Sequence, residues 1–202
     1  EAHKTAILSK FPDGTRATKK GLRAKKLGEA TNPGPDHLRI WSQNMRSWHT
    51  NCLALLEDAA SMQVDVLLLQ ETNVSASATP SIMNQAQRHG WQMIHAAPTS
   101  RNRGGVAVLV KPPLAIVELD RQQTENGQFI MAECHGLQES VLLGSLYRHG
   151  SDDQFQIPTE LCHILQVRHG NQWIVGMDGN NDMVNGVISQ QMQAVEIGRA
   201  HV

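Results

Sequence analysis

Apolar residues arrive along this chain in short dense runs broken by polar and glycine-rich stretches, and the spacing inside each run assigns its element. Leu38-Arg39-Ile40-Trp41-Ser42 alternates with the period of two expected of a strand and delivers Asn44 to the loop that follows. Cys52, Leu55, Leu56 and Ala59 then share one face at helical spacing, with Thr50 placed to cap the helix. Val64 to Leu69, apolar apart from Asp65, predicts a buried strand ending at Glu71 and completes a strand-helix-strand unit. Thr79-Pro80 supplies an N-cap and first-turn proline for a second helix, Met83 and Ala86 its spacing, and Gly90 its end. Trp91 to His95 reads as the next strand.

From Gly104 onward the strands follow one another without long helices: Val106 to Val110, Leu114 to Leu119, Phe129 to Cys134, and Val141 to Leu146. Connections this short imply a largely antiparallel meander. Pro158 through Arg168, with Leu161, Ile164 and Leu165 on one face and Gly170 after it, predicts a helix leading into a last buried strand, Gln172 to Met177. Residues 1–36 carry no sustained periodicity and end in the breaker cluster Asn32-Pro33-Gly34-Pro35, so they are expected to form a disordered extension, with the folded domain spanning 37–202. The same four residues match the core of ribosome-skipping peptides, but Ala30 stands where those peptides carry a glutamate, and a plain turn is the alternative.

At 202 residues and 40% hydrophobic, the chain is long enough for one sizeable core. No apolar stretch approaches the length of a bilayer span, and the N-terminus lacks the apolar segment of a secretory signal, so an intracellular, nuclear or cytoplasmic, location is expected. Cys52, Cys134 and Cys162 are odd in number and lack CxxC spacing, which points away from a disulfide framework or a thiolate zinc site. The net charge of −1 conceals an asymmetry: residues 1–26 hold eight Lys and Arg against Glu1 and Asp13, a net +6, over a body at −7. Such an arm either holds nucleic acid phosphates by counterion release or is a solvated tail.

Four motifs stand at the carboxyl ends of the expected strands, the edge of an α/β sheet where loops bring distant residues together. They are Ser42-Gln43-Asn44, Leu69-Gln70-Glu71-Thr72, Ser145-Leu146-Tyr147 and Gly176-Met177-Asp178-Gly179-Asn180. Glu71 follows a strongly apolar run, where a carboxylate is costly unless it lies at the rim or has a partner, and it is the best candidate ligand for a hard divalent cation. Asn44 can offer its amide oxygen to a metal or its NH₂ to a phosphate. In Asp178-Gly179-Asn180 the glycine lets the backbone turn tightly enough for both polar side chains to address one ligand. Tyr147 is the chain's single tyrosine and a hydroxyl donor, and Arg148 offers a fork of donors to phosphate or is a solvated rim charge. Taken alone, each has an ordinary reading as a turn, surface or strand-end residue.

Their order resembles the endonuclease/exonuclease/phosphatase superfamily, the Mg²⁺-dependent phosphodiesterases related to DNase I and the apurinic endonucleases. Gln70-Glu71-Thr72 and Gly104-Gly105-Val106-Ala107 look most like the endonuclease domain of non-LTR retrotransposons, which nicks DNA to prime reverse transcription. The resemblance implies a four-layered α/β sandwich, two mixed β-sheets flanked by helices. It implies Mg²⁺ or Mn²⁺ held by Glu71 and Asn44, water activated by Asp178, and the scissile phosphate bound by Asn180, with Tyr147 donating to a phosphate oxygen. DNA is the implied partner, with no membrane and no obligate protein partner.

Two departures qualify the resemblance. Gly179 replaces the family's bulky residue between the Asp and Asn, and the family's closing Ser-Asp-His is unmatched, since His201 lacks a preceding Asp. The chain is therefore expected to be truncated at its C-terminus, to leave a sheet edge unpaired, and to be weak or inactive as an enzyme. The competing functions are a catalytically silent remnant that binds nucleic acid nonspecifically, and a phosphatase or phosphodiesterase of the same fold acting on a lipid or small phosphate ester. His135, His149, His163 and His169 lack zinc-type spacing, and no Gly-x-Ser-x-Gly elbow occurs.

Overall fold

Two mixed β-sheets lie face to face in the computed structural model, which describes residues 6–10, by their backbone, and residues 38–99, 103–124, 127–149 and 172–178. The strands are β1 (Ala6–Lys10), β2 (Ile40–Asn44), β3 (Val66–Gln70), β4 (Gln92–Ala96), β5 (Val106–Val110), β6 (Ala115–Thr124), β7 (Gly127–His135), β8 (Val141–Arg148) and β9 (Gln172–Asp178). Helix α1 covers Trp48–Ser61 and α2 covers Thr79–Arg88, the latter entered through a 3-10 turn at Ala76–Ala78. One sheet has the order β2-β3-β5-β4 and the other β1-β9-β8-β7-β6. In each, one pair is parallel, β2 with β3 and β8 with β9, and the remaining pairs are antiparallel.

The alternation of side chains explains which runs are continuous and which are mixed. β3 and β5 are interior strands buried along their whole length, so Val66 to Leu69 and Val106 to Val110 are apolar on both faces. Val66 and Leu68 face the opposite sheet, where they join Val106, Val108, Ile130, Ala132, Leu143 and Ile174. Leu67 and Leu69 point the other way, against Cys52, Leu55, Leu56 and Ala59 of α1 and Ile82 and Ala86 of α2. The helical layer thus covers one sheet. The second helical layer, expected from Pro158 to Arg168, falls outside the described residues.

Three expectations are corrected. Helix α1 begins at Trp48 with Ser47 as N-cap, two residues before Thr50, because the Trp48 amide finds a tertiary acceptor, the Thr72 carbonyl, at 2.8 Å. In α2 the buried pair is Ile82 with Ala86, while Met83 is 37% exposed. Part of the N-terminal extension is structured: β1 pairs antiparallel with β9 from Ala6 opposite Met177 to Lys10 opposite Trp173. A backbone ladder satisfies the N–H and C=O groups of an edge strand without needing a side-chain period, which is why periodicity did not reveal it. The edge of β9 away from β8 is occupied in this way. Residues 11–37, including Asn32-Pro33-Gly34-Pro35, lie outside the described residues.

Candidate active site

Gly176 sets the approach of the two sheets. A Cβ there would collide with the Ser42 hydroxyl and stand 2.7 Å from the Leu68 Cβ, so only a glycine lets β9 cross this closely over β2 and β3. Two residues further along each strand the side chains return to the same face, which places Asp178 opposite Asn44. The Asn44 Nδ2 donates to Asp178 Oδ2 at 2.6 Å, a short charge-assisted bond to a carboxylate that is 1% exposed.

A polar layer lies just beneath. Gln70, fully buried at the end of β3, donates from Nε2 to Ser145 Oγ at 3.0 Å and to the Leu68 carbonyl at 3.1 Å, and Ser145 Oγ donates to the Leu69 carbonyl at 2.8 Å. Ser145 and Tyr147 share a face of β8, so the same alternation lifts the Tyr147 phenol to the rim beside Glu71. The Glu71 carboxylate lies close enough to act on the phenol electrostatically. Burial, then the charge and hydrogen bond of Glu71, then the charge of Asp178, push its pKa well above the usual phenol range, against a smaller opposing effect of Arg103. Tyr147 is therefore a committed proton donor placed near both carboxylates. On its other side, His149 Nδ1 lies 3.5 Å from the phenol oxygen with the rings edge to face.

Loop conformation completes the rim. Glu71 has φ +52° and Asn73 φ +53°, both in the left-handed region that non-glycine residues seldom occupy. Asn73 braces two loops at once: Nδ2 donates to the Arg46 carbonyl at 2.5 Å, and Oδ1 accepts from the Gly104 amide at 2.8 Å. Gly104 has φ +96°, and a Cβ on it would press on the Tyr147 ring. The Gly104-Gly105 pair therefore serves the site by admitting Tyr147 and anchoring the Glu71 loop, through Asn73 N–H to the Gly104 carbonyl at 2.7 Å and Thr72 N–H to the Gly105 carbonyl at 3.2 Å.

The structure thus gathers Asn44, Glu71, Tyr147 and Asp178 on one rim, from β2, the loop after β3, β8 and β9. Arg148 is not with them. It follows Tyr147 by one residue, so it points to the opposite, outer face of its sheet, where it is 3% exposed. Asn180 lies outside the described residues. The cavity of about 470 Å³ along β2 and α1 meets the rim at Asn44 and is lined by neither Glu71, Tyr147 nor Asp178, so it is a side groove of the site.

The donor set suits a hard cation. Glu71 and Asp178 supply carboxylate oxygens, and Asn44 Oδ1 accepts one bond, from the Arg46 amide at 3.0 Å, keeping a lone pair. Among the described residues no group of three or more His, Cys, Asp or Glu could cage a metal. Residues the sequence did not single out are the supporting ones: Asn73, Gln128, whose Oε1 accepts from the Gly105 amide at 2.9 Å, and His95, 1% exposed beneath Thr72. Gln128 and His95 sit in otherwise apolar strand runs, which is the signal that marks them.

No curated protein sequence matches the chain significantly. Among solved structures it is similar to the human Nocturnin catalytic domain with bound sulfate, at 15% identity and TM-score 0.58, covering 78% of this chain and 68% of that one. The endonuclease domain of TRAS1, a telomere-specific non-LTR retrotransposon, gives 14% identity and TM-score 0.58 over 81% and 70%. The 3′ phosphatase NExo from Neisseria, bound to product DNA hairpin, gives 16% identity and TM-score 0.55 over 80% and 71%. At these identities the likeness is one of fold. A sequence profile matches residues 32–164, a span that holds Asn44, Glu71 and Tyr147 and to which the Asn44 bond ties Asp178. The chain belongs to the Endonuclease/Exonuclease/phosphatase family.

Proposed function

We propose that the rim hydrolyses phosphodiester bonds in DNA with Mg²⁺ or Mn²⁺, as an endonuclease of the retrotransposon type. The observation that carries the reading is the pairing of Asn44 Nδ2 with Asp178 Oδ2 at 2.6 Å beside the Tyr147 phenol and the Glu71 carboxylate. Glu71 and the free lone pair of Asn44 Oδ1 would hold the metal, and when bound it withdraws charge from a nonbridging phosphate oxygen. Asp178, oriented by the Asn44 amide, accepts a proton from the attacking water. Tyr147, held protonated, donates to a phosphate oxygen once substrate competes for its proton with Glu71. Asn180 follows Asp178 by two residues and is assigned to the phosphate on the family resemblance. Arg148, on the outer face, has no part in it.

The test is nicking of supercoiled plasmid with Mg²⁺, Mn²⁺ or EDTA, comparing the chain with Glu71→Gln and Asp178→Asn. Metal-dependent nicking that falls at least about 100-fold in each variant supports the reading, since removing one member of a catalytic unit costs that much or more. Release of inorganic phosphate from a 3′-phosphorylated oligonucleotide without nicking would replace the endonuclease by a phosphatase. DNA binding with neither activity would leave a silent binding domain.

A further inference from the structure

His95 is buried under the site at 1% exposure and spans two loops through its two ring nitrogens. Nε2 lies 2.9 Å from Thr72 Oγ1 and Nδ1 lies 2.9 Å from Thr79 Oγ1. The direction of every proton in this chain follows from one end. Thr79 Oγ1 donates to the Ser75 carbonyl at 3.3 Å, and with its one hydrogen placed there it accepts from His95, which assigns the ring proton to Nδ1. Nε2 is then an acceptor, and the Thr72 hydroxyl donates to it. Burial, with a smaller push from the Arg121 charge, lowers the imidazole pKa to about 4, in keeping with a neutral ring.

Thr72 is the point at which the loop is pinned. Its carbonyl accepts from the Trp48 amide at 2.8 Å, its amide donates to the Gly105 carbonyl at 3.2 Å, and its hydroxyl has His95. Glu71, the neighbouring residue, stands at φ +52°, a conformation that costs energy and persists only where the surroundings over-determine it. Three fixed contacts on Thr72 supply that determination. Two of them come from backbone, and the third is the imidazole, reaching up from β4 on the helix side of the sheet.

We propose that His95 is a positioning residue for Glu71: by accepting the Thr72 hydroxyl proton at Nε2 it fixes the left-handed turn that presents the Glu71 carboxylate at the rim. The metal role of Glu71 rests on the function proposed above, whereas the effect on the loop does not. The two halves of the imidazole can be kept separately. In His95→Gln the side-chain amide reaches the place of Nε2 and its oxygen accepts from Thr72, while the Thr79 bond is lost. In His95→Asn the amide reaches the place of Nδ1 and donates to Thr79, while the Thr72 bond is lost.

The experiment compares the full chain with these two variants and Glu71→Gln. It reads hydrogen exchange of the Thr72 amide without metal, and Mn²⁺ affinity from the spin-resonance signal of free Mn²⁺. The expected result is that His95→Asn speeds Thr72 exchange and weakens Mn²⁺ binding about tenfold, as loss of an outer-shell partner does, while His95→Gln stays near the wild type in both. Equal behaviour of the two variants, or the reverse order, would overturn the proposal and leave His95 as core packing. If Glu71→Gln binds Mn²⁺ as the wild type does, the metal reading of the rim fails on its own, and Thr72 exchange still decides whether His95 sets the loop.

Discussion

Replacing Gly176 by Ala should separate the two halves of the site without substituting any of its polar groups. The new Cβ would stand 2.7 Å from the Leu68 Cβ and 3.0 Å from the Ser42 Cβ, both fixed to backbone, so rotation of a side chain cannot relieve the contacts. Carbon atoms pack at about 3.5–4.0 Å, so β9 must retreat from β2 and β3 by roughly 1 Å. Overpacking of this kind costs about 1–3 kcal/mol, offset by the roughly 0.5 kcal/mol that Ala gains over Gly through the unfolded chain, for a net loss of about 0.5–2.5 kcal/mol. Because Asp178 is two residues away on the same face, the retreat lengthens its 2.6 Å bond to Asn44. A displacement of about 1 Å is enough to cost on the order of 100-fold in turnover. Gly144 is the control. Its added Cβ would meet Val175 Cγ2 at 3.1 Å and Met131 Cε at 3.4 Å on the outer face, and both are side-chain ends that can shift. Urea denaturation and metal-dependent nicking of the two variants give the answer. Gly144→Ala should be within about 1 kcal/mol of the wild type and active, as volume changes that flexible neighbours absorb usually are. A Gly176→Ala protein as stable and as active as Gly144→Ala would refute the claim that glycine holds the sheets together here.

Acid should weaken the fold through His95. Its folded pKa of about 4 lies below the ordinary 6.5, so the unfolded chain takes up the proton first and stability is lost as pH falls from 6.5 towards 4. At pH 4.5 the difference is about 2.5 kcal/mol relative to pH 7, and the stability gap between wild type and His95→Gln, measured by denaturation, should change by about that amount. Asn44→Asp places a second carboxylate against Asp178, and since two carboxylates sharing a site cannot both ionise easily, the acid limb of the nicking pH profile should move upward by a unit or more. Tyr147→Phe keeps the ring packed between the sheets, so unfolding should change by no more than about 1 kcal/mol. The same change takes the donor from Glu71, so nicking should fall by about tenfold or more.

How much of this was legible depended on whether a contact was local. The strands other than β1 follow from short alternating or continuous apolar runs and both described helices from a period of 3.6, and the motifs at the strands' carboxyl ends led to Asn44, Glu71, Tyr147 and Asp178 as neighbours. Arg148 was placed with them for its fork of donors, although strand alternation, applied strictly, puts it on the face opposite Tyr147. β1 was missed because pairing with β9 is a backbone event more than 160 residues away in sequence, carried by N–H and C=O groups that every residue has. His95 was passed over as the end of an apolar strand, since its meaning depends on Thr72 and Thr79 arriving on either side of the ring. The start of α1 depended in the same way on a carbonyl supplied by the Glu71 loop.

What the rim shares is conformational cost. Of the four non-glycine residues with positive φ among the described residues, Arg46, Glu71 and Asn73 lie around the candidate site, and Gln63 lies elsewhere, at the end of α1. Each such residue is worth about 1–3 kcal/mol of strain. Beneath them Gln70 Oε1 is buried without a hydrogen-bond partner, a further penalty of about 1–3 kcal/mol. Each strained residue is held from outside itself: Arg46 through its amide by Asn44 and through its carbonyl by Asn73, Asn73 by Gly104, and Glu71 through Thr72 by His95 of β4 and by Gly105. The strain therefore persists because two apolar layers fix the strands that carry these partners, and the loops have little freedom to relax separately. On the proposed function, a carboxylate held this way would already be in place before a cation or phosphate arrives, so binding would not need to order the loop. Free energy that a mobile loop would lose on closing remains available to stabilise the transition state.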